Sequence, residues 1–234
     1  MISNELDIEP FRARLRAHGR VQVPGFLQDG AALRLHDCLR DEVPWETAQR
    51  TDAELAPGLL RSASPGSGED AAALQAAAER ARHGFEFYFD RYRMIDARRD
   101  GLDPELVLHA VVDFLNTPPF LDFARHLTGD PAIRMVSAIA VRYRHGHFLR
   151  AHNDHAGNED RAYAYVINLS RDWLPDWGGL LQFLDPAERR VVDTFVPLWN
   201  SLSLFRVPQP HVVSLVAPWA GSPRYSITGW FRRG

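Results

Sequence analysis

A histidine and an aspartate separated by one residue, in the triplet His152-Asn153-Asp154, are the first candidates for chemistry in this sequence. The triplet lies in a segment with the composition of a strand, where successive side chains point to opposite faces. We therefore expect His152 and Asp154 to point the same way without a bend in the backbone. A triplet of this kind is weak evidence by itself, because the chain has ten histidines and short motifs recur by chance.

A third metal ligand must come from a distant part of the chain, and His211 opens a later predicted strand. Two histidines and one carboxylate on one face of a metal ion leave the opposite positions open. Non-haem Fe(II) oxygenases use that arrangement, because a cosubstrate and O2 bind at the open positions. We predict His152, Asp154 and His211 as metal ligands. Zinc accepts the same ligand types, so a zinc hydrolase remains an alternative.

A candidate site for a carboxylate lies in the last predicted strand, at Arg224-Tyr225-Ser226. Arg224 and Ser226 share a face of the strand, and a guanidinium forms two parallel charge-assisted hydrogen bonds with a carboxylate. A buried arginine without an anion would be costly. Tyr143, nine positions before His152, could reach the same bound carboxylate. The alternative is an exposed arginine beside a structural serine.

Two glycines follow Trp177 and precede Leu180. Glycine in or beside a strand allows another segment of backbone to approach closely. The motif is therefore a candidate for a close approach near the site, with a simple turn between strands as the alternative.

The predicted secondary structure that must position these residues changes from mainly helices to mainly strands near residue 130. The first half predicts a short strand at Val21–Leu27 and a mobile loop at 56–69, which is a candidate lid over the substrate or, equally, a disordered surface loop. It also predicts four helices. One of them spans residues 70–95, and its aromatic residues from Phe85 to Tyr92 are interpreted as core packing. The other helices are predicted at Ala31–Glu42, Pro104–Asn116 and Pro119–Leu127.

The second half predicts short strands rich in β-branched and aromatic residues, separated by Gly, Pro, Asn and Asp. Eight such strands in about 100 residues indicate a jelly roll, with the helices packed on the outside of one sheet. The fold class is therefore α+β, as one domain over 1–234 that is helix-rich over 1–130 and has its jelly-roll core at 131–234. The strands are predicted at Ile133–Tyr143, Phe148–Asp154, Ala162–Leu169, Leu180–Leu184, Val191–Val196, Ser201–Phe205, His211–Val216 and Arg224–Phe231.

The composition is that of a globular protein, with 45% hydrophobic residues and a formal net charge of -3. The absence of a basic excess argues against nucleic acid as a partner. No apolar run resembles a signal peptide or a membrane span, so we expect a cytoplasmic protein without membrane partners. The single cysteine, Cys38, cannot form an internal disulfide. The sequence does not indicate an oligomeric state.

Taken in order, these motifs resemble those of the Fe(II)/2-oxoglutarate-dependent dioxygenases, and within them the prolyl 4-hydroxylase branch. The order is Tyr143-x-x-Gly, His152-x-Asp, Trp177-Gly-Gly, His211 and Arg224-x-Ser. The stretches at 168–173 and 224–231 resemble the oxygen-sensing prolyl hydroxylases. The stretch at 197–205 and the closing residues 226–231 are more similar to the ribosomal prolyl hydroxylases. The resemblance covers residues 133–233 well and the first half in outline.

The resemblance implies a double-stranded β-helix, which is a jelly roll, and a role for each matching residue. His152, Asp154 and His211 would bind Fe(II), and Arg224 would bind the distal carboxylate of 2-oxoglutarate, helped by Tyr143 and Ser226. O2 would be the second cosubstrate, with ascorbate as a supporting reductant. The expected reaction hydroxylates a prolyl residue of a protein or peptide, with release of succinate and CO2.

Two other functions stay open at this point. The substrate could be a free amino acid or another small metabolite, or the chain could be a jelly-roll protein that binds metal without catalysis. One departure concerns a second cosubstrate tyrosine, which some oxygen-sensing relatives carry on the strand before Asp172-Trp173. In this chain the corresponding position is assigned to Ile167. The interval from His211 to Arg224 is also longer than in those relatives. These departures bear on the substrate more than on the cosubstrate chemistry.

Overall fold

The computed structural model describes residues 1–50, 66–155 and 160–233. Helices dominate the first half of the described chain and strands the second. The helices are α1 Glu9–His18, α2 Asp29–Asp41, α3 Gly68–Arg80, α4 Met94–Asp100, α5 Leu108–Leu115 and α6 Pro118–Thr128. The strands are β1 Arg20–Pro24, β2 Glu46–Gln49, β3 Phe87–Tyr92, β4 Met135–Val136, β5 Ile139–Tyr143, β6 Phe148–His152, β7 Arg161–Asn168, β8 Leu181–Leu184, β9 Val191–Phe195, β10 Ser201–Arg206, β11 His211–Val213 and β12 Arg224–Arg232.

The strands form a continuous antiparallel sheet in the order β1-β10-β7-β12-β5-β3-β6-β11-β8-β9. Strand β2 pairs with β3, and β4 pairs with β12, beside this path. The sheet folds over into a nearly closed, barrel-like β-sandwich, and β3 joins its two halves by pairing with β5 on one side and β6 on the other. This architecture confirms the predicted α+β class with a jelly-roll core.

The helices pack on one face of the sheet, as the alternation of side chains along β7 illustrates. Tyr163, Tyr165 and Ile167 are buried in a core shared with the helices, whereas Ala164 and Val166 face the opposite side. Each fully buried large apolar side chain of such a core stabilises the fold by about 1.5–3 kcal/mol relative to exposure. The shared core therefore holds the helical first half against the strands of the second half.

Helix α6 shows how local sequence sets the ends of these helices. It begins with Pro118 and Pro119 in its first turn, where the missing backbone N–H groups cost no hydrogen bond. It ends at Gly129, which adopts a left-handed conformation (φ 70°) and donates its N–H to the carbonyl of Arg125. Phe120 packs edge-on against Phe231 of β12 at 6.1 Å between ring centroids. The predicted helix at Pro119–Leu127 is thus confirmed within one residue at each end.

The prediction of one long helix over 70–95 is wrong. Helix α3 ends at Arg80, and the aromatic stretch that follows forms β3. Buried and half-buried residues alternate along β3, which is the period of a strand and not of a helix. Aromatic residues favour strands, and the open edges of β5 and β6 supply the hydrogen-bonding partners. The helix expected at Pro104–Asn116 begins only at Leu108.

A buried ionic cluster fixes the position of β3. The carboxylate of Asp90 is fully buried and accepts hydrogen bonds from Arg142 Nε and Arg144 Nε, each at 2.8 Å. Arg144 also forms an ion pair with Asp70 of α3 at 2.8 Å. A buried charge is tolerated when it is paired and hydrogen-bonded in this way. The cluster ties β3 to β5 and to α3.

Most of the predicted mobile loop at 56–69 lies outside the described residues, because residues 51–65 are not among them. Its last residues are described, and Gly68 already begins α3. Ser67 caps this helix by accepting a hydrogen bond from the N–H of Asp70 at 3.2 Å. Among the described residues, no helix combines the length and the apolar character that crossing a membrane requires.

Candidate functional site

The three predicted metal ligands lie together. His152 ends β6 and His211 begins β11, and the two residues are partners in the β6–β11 ladder, with ring centroids 4.1 Å apart. One carboxylate oxygen of Asp154 lies 3.3 Å from Nε2 of His152, and the other lies 3.6 Å from Nε2 of His211. One ligand atom from each residue lies within 4.8 Å of the other two, so the three side chains could hold one metal ion.

Asp154 reaches this position in a different way from the one expected. Strand β6 ends at His152, so the pleat of a strand does not align the two side chains. Asp154 has φ of 59°, in the left-handed region that aspartate tolerates better than most residues other than glycine. The predicted convergence of His152 and Asp154 is confirmed, but the absence of a backbone bend is wrong. The bend turns the carboxylate back toward both imidazoles.

Backbone carbonyls orient both imidazole rings. Nδ1 of His152 lies 2.9 Å from the carbonyl oxygen of Arg150, and Nδ1 of His211 lies 2.8 Å from that of Gln209. A carbonyl can only accept, so Nδ1 carries the proton in each ring and Nε2 keeps its lone pair for a metal. In each ring, Nε2 is the nitrogen that faces the carboxylate of Asp154.

Burial and charge favour the protonation states that bind a metal. Burial, and then the neighbouring His152, lower the pKa of His211 to about 4. Burial by itself raises the pKa of the Asp154 carboxyl, but the neighbouring imidazoles of His152 and His211 hold that pKa below its usual value. His211 is therefore neutral and Asp154 is ionised near neutral pH, which is what metal ligation requires.

The predicted carboxylate site lies on β12. Arg224 is 2% exposed, and its Nε and Nη1 have no hydrogen-bond partner among the described residues. The buried hydroxyl of Ser226 also lacks a partner in that part of the chain. Burial lowers the pKa of the Arg224 guanidinium, because an isolated charge is unfavourable in such a place. Unpaired donors of this kind fit a carboxylate, which would accept from the guanidinium and from the hydroxyl.

Tyr143 and two glycines complete this end of the site. Tyr143 pairs with Arg224 in the β5–β12 ladder, and the guanidinium lies 5.3 Å from its ring centroid. A Cβ on Gly178 would lie 1.9 Å from the carbonyl oxygen of Leu215, and one on Gly179 would lie 3.4 Å from Cδ of Arg224. The close backbone approach expected of the Trp177-Gly-Gly motif is therefore confirmed, and it supports the wall behind Arg224.

The metal ligands and the carboxylate site line the same cavity, whose volume is about 330 Å³. Sequence analysis missed part of its wall. Phe87, Phe89 and Arg91 project into the cavity from β3, and Arg161 and Trp230 line it from β7 and β12. The alternation of Phe87 and Phe89 with Tyr88 was the available signal for a strand facing a pocket. The interpretation of the aromatic stretch as core packing is incomplete, because Phe89 packs against the buried cluster of Val141 and Tyr143 and also lines the cavity with Phe87.

The position assigned to Ile167 is corrected by the pleat of β7. Ile167 is 2% exposed and belongs to the core shared with the helices, on the side of the sheet away from the cavity. Its neighbour Asn168 is the partner of Ser226 in the β7–β12 ladder and donates to the hydroxyls of Ser201 and Ser203, both at 3.1 Å. Asn168, and not Ile167, is therefore the β7 residue next to the carboxylate site.

Residues 138–232 match the family model of the 2OG-Fe(II) oxygenase superfamily. The match covers every residue of the His-Asp-His group and of the Tyr143, Arg224 and Ser226 group. It confirms, for this part of the chain, the resemblance to Fe(II)/2-oxoglutarate oxygenases that the motifs predicted. No curated protein matches the sequence.

Several solved structures share the fold. A 2OG-Fe(II) oxygenase family oxidoreductase from Burkholderia pseudomallei has a TM-score of 0.66 at 18% identity, covering 100% of this chain and 94% of that one. A prolyl hydroxylase from Trichoplax adhaerens, in complex with a hypoxia inducible factor peptide fragment, has 0.59 at 17%, covering 97% and 89%. A Pseudomonas putida prolyl-4-hydroxylase has 0.55 at 19%, covering 97% and 100%. At such identities the likeness concerns the fold.

Proposed function

We propose that this chain is an Fe(II)- and 2-oxoglutarate-dependent dioxygenase that hydroxylates its substrate. One observation carries the proposal: a buried arginine and a buried serine, whose donors have no partner among the described residues, line the same cavity as a His-Asp-His group. A protein that only bound a metal would have no need of a second, carboxylate-binding group. The match of residues 138–232 to the 2OG-Fe(II) oxygenase superfamily supports the same function.

In this proposal His152, Asp154 and His211 bind the iron. Arg224 holds the distal carboxylate of 2-oxoglutarate, with Ser226 donating to the same group and Tyr143 bordering it. Iron, 2-oxoglutarate and O2 together supply the oxidising chemistry when bound. One oxygen atom enters the substrate C–H bond as a hydroxyl group, and the other enters succinate as CO2 is released. Ascorbate as a supporting reductant remains part of the proposal.

The residues of the chain contribute orientation and a site shielded from water. The carbonyls of Arg150 and Gln209 keep Nε2 of each histidine available, and Asp154 supplies the single negative ligand. Apolar groups from Leu181, Val213 and Phe205 line the cavity around the ligands. Such walls limit the access of water, which protects a reactive site from side reactions.

The substrate that we propose is a prolyl residue of a protein or peptide. Two proteins with a similar fold are prolyl hydroxylases by name, and one of them was solved with a peptide fragment. The rings of Phe87 and Phe89 supply an apolar wall that a pyrrolidine ring would contact. We also propose that residues 1–234 form a single domain, because helices and strands share one core.

An anaerobic titration of the Fe(II)-loaded protein with 2-oxoglutarate tests the core of the proposal. Chelation of the iron by 2-oxoglutarate should produce a visible charge-transfer absorption band, and the His152→Ala variant should lack it. Protein that binds iron but develops no band would refute the 2-oxoglutarate function. A metal-binding jelly roll or a zinc hydrolase would then be the better description.

A further inference from the structure

Besides Arg224 and Arg161, a third arginine lines the cavity. It is Arg91 of β3, in a stretch predicted to be helical. Arg91 lines the cavity together with Phe87 and Phe89, because the three residues share one face of the strand. Its Nε is buried and, among the described residues, has no hydrogen-bond partner. The residue as a whole is half-buried, but a buried N–H of a charged group that is left unpaired is unfavourable. Arg91 therefore calls for an anion inside the cavity.

Each of the other charged groups that line the cavity has a partner or a proposed ligand. Arg224 is the proposed ligand of the cosubstrate carboxylate. Arg161 stacks on the ring of Trp230 at 3.7 Å and donates to the backbone carbonyl of Asp154 at 3.4 Å. Within the described lining, Asp154 is the only carboxylate, and it faces the two histidines. No other acidic side chain of the described lining is left to pair with Arg91, and its exposed ladder partner Glu46 on β2 forms no ion pair with it among the described residues.

Arg91 also stands apart from the site proposed for the cosubstrate. In the ladders, Arg91 is the partner of Val141, and Val141 is in turn the partner of Ser226. The Cα atoms of Arg91 and Ser226 are thus two strands apart, roughly 10 Å. The ring of Phe89 stacks on Tyr143 at 5.2 Å, in the row of Arg224, and Arg91 lies one row further along, level with Ser226. Arg91 is placed to meet a second ligand.

The charges of the site with Fe(II) and 2-oxoglutarate bound also favour a second anion. The two positive charges of Fe(II) would be offset by the two negative charges of 2-oxoglutarate. Arg161 has partners of its own and Asp154 offsets the charge of one further guanidinium group, so one positive charge of the described lining remains after the metal and cosubstrate bind. An anionic substrate would be favoured in a site of this kind.

We infer that Arg91 binds a free carboxylate of the primary substrate, while the rings of Phe87 and Phe89 contact its apolar body. The inference rests on the proposed function and narrows its substrate: the prolyl residue carries a free carboxylate, as in an N-acylated proline or at the C-terminus of a peptide, and is not an internal residue of a protein. An ammonium group would find no carboxylate in the described lining besides Asp154, so an N-acylated acid fits better than a free amino acid.

Pairs of compounds that differ only in this carboxylate test the inference. We would offer N-acetyl-L-proline and N-acetyl-L-prolinamide, then phenylacetate and phenylacetamide, to the full chain loaded with Fe(II) and 2-oxoglutarate. Probe-dependent succinate formation is one readout. The rise in unfolding temperature of the anaerobic protein on adding each probe is the second, because a ligand that binds only the folded state stabilises it.

We expect the acid of at least one pair to half-saturate the wild-type protein at a concentration about tenfold or more below its amide. Arg91→Met should bring acid and amide within about twofold of each other, and Arg91→Lys should restore part of the preference. Arg93→Met is the matched control, because Arg93 lies two residues further along, outside the cavity, and pairs with Asp96 at 3.1 Å. It should keep the wild-type preference.

Three results would overturn the inference. They are the absence of an acid preference in both pairs, its persistence in Arg91→Met, and an increase in the 2-oxoglutarate requirement of Arg91→Met like that expected for Arg224 variants. The anaerobic absorption band separates this failure from that of the proposed function. If wild-type protein shows no band, the oxygenase function fails. If the band forms but only amides or internal prolyl peptides respond, the role of Arg91 alone is wrong.

Discussion

Replacing Arg224 by methionine should change stability and cosubstrate binding in opposite directions. Arg224 is 2% exposed, and two of its guanidinium nitrogens have no partner among the described residues. An unsatisfied buried donor costs about 1–3 kcal/mol, and methionine fills a similar volume without polar atoms. We therefore expect Arg224→Met to raise the free energy of unfolding of the ligand-free protein by about 1–2 kcal/mol.

The same change should weaken 2-oxoglutarate binding strongly. The proposed bidentate contact comprises two charge-assisted hydrogen bonds, each contributing about 1.5–3 kcal/mol. Losing about 3–4 kcal/mol corresponds to an increase in Kd of roughly two to three orders of magnitude. Urea unfolding of the ligand-free protein measures the first effect, and anaerobic titration of the absorption band measures the second.

Arg142→Met provides the contrast for this test. Arg142 is also an arginine of the sheet, but it forms a 2.8 Å ion pair with the buried carboxylate of Asp90. Its removal should lower stability, since it takes a partner from a buried charge. The reasoning would be refuted if Arg224→Met destabilised the ligand-free protein as Arg142→Met does, or if its Kd for 2-oxoglutarate stayed within about threefold of wild type.

Three further predictions concern the metal ligands, the ionic cluster and the glycine motif. Asp154→Ala should abolish iron-dependent 2-oxoglutarate turnover, and turnover by wild-type protein after chelation of all metal would contradict the metal assignment. Asp90→Ala should lower the free energy of unfolding in urea by about 3 kcal/mol or more, because two arginines lose their buried partner; a loss below about 1 kcal/mol would mean that the cluster does not hold β3. Gly178→Ala should lower the unfolding temperature and weaken 2-oxoglutarate binding, since its Cβ would lie 1.9 Å from a backbone oxygen. Gly30→Ala, with open space around the added Cβ, is the control and should behave as wild type.

The residues that were predicted well are those whose signal is local in the sequence. Arg224 and Ser226 share a face because alternation along a single strand decides it. The jelly roll followed from short β-rich segments separated by turn residues, and the boundaries of β7, β8 and β10 agree closely with the predicted strands. Proline and glycine marked the ends of α6 for reasons that lie within one turn of helix.

Predictions failed where partners distant in the sequence decide the conformation. The alanine-rich residues 71–81 precede the aromatic residues 85–92, and this pattern predicts one helix that continues through the aromatic stretch. The edges of β5 and β6 turn that stretch into a strand, and they belong to a part of the chain about 50 residues away. The left-handed backbone of Asp154 could not be predicted for a similar reason. Its contacts with His152 and His211 accompany this conformation, and no local sequence pattern indicates it.

The sequence by itself determined which side chains could act and on which face of their strands most of them lie, because residue type and a period of two are local properties. Only the tertiary structure decided that His211 meets the His152 strand, that two glycines support the wall behind Arg224, and that Arg91 enters the cavity. These outcomes depend on strand order and register, which arise from packing the whole sheet and its helices together.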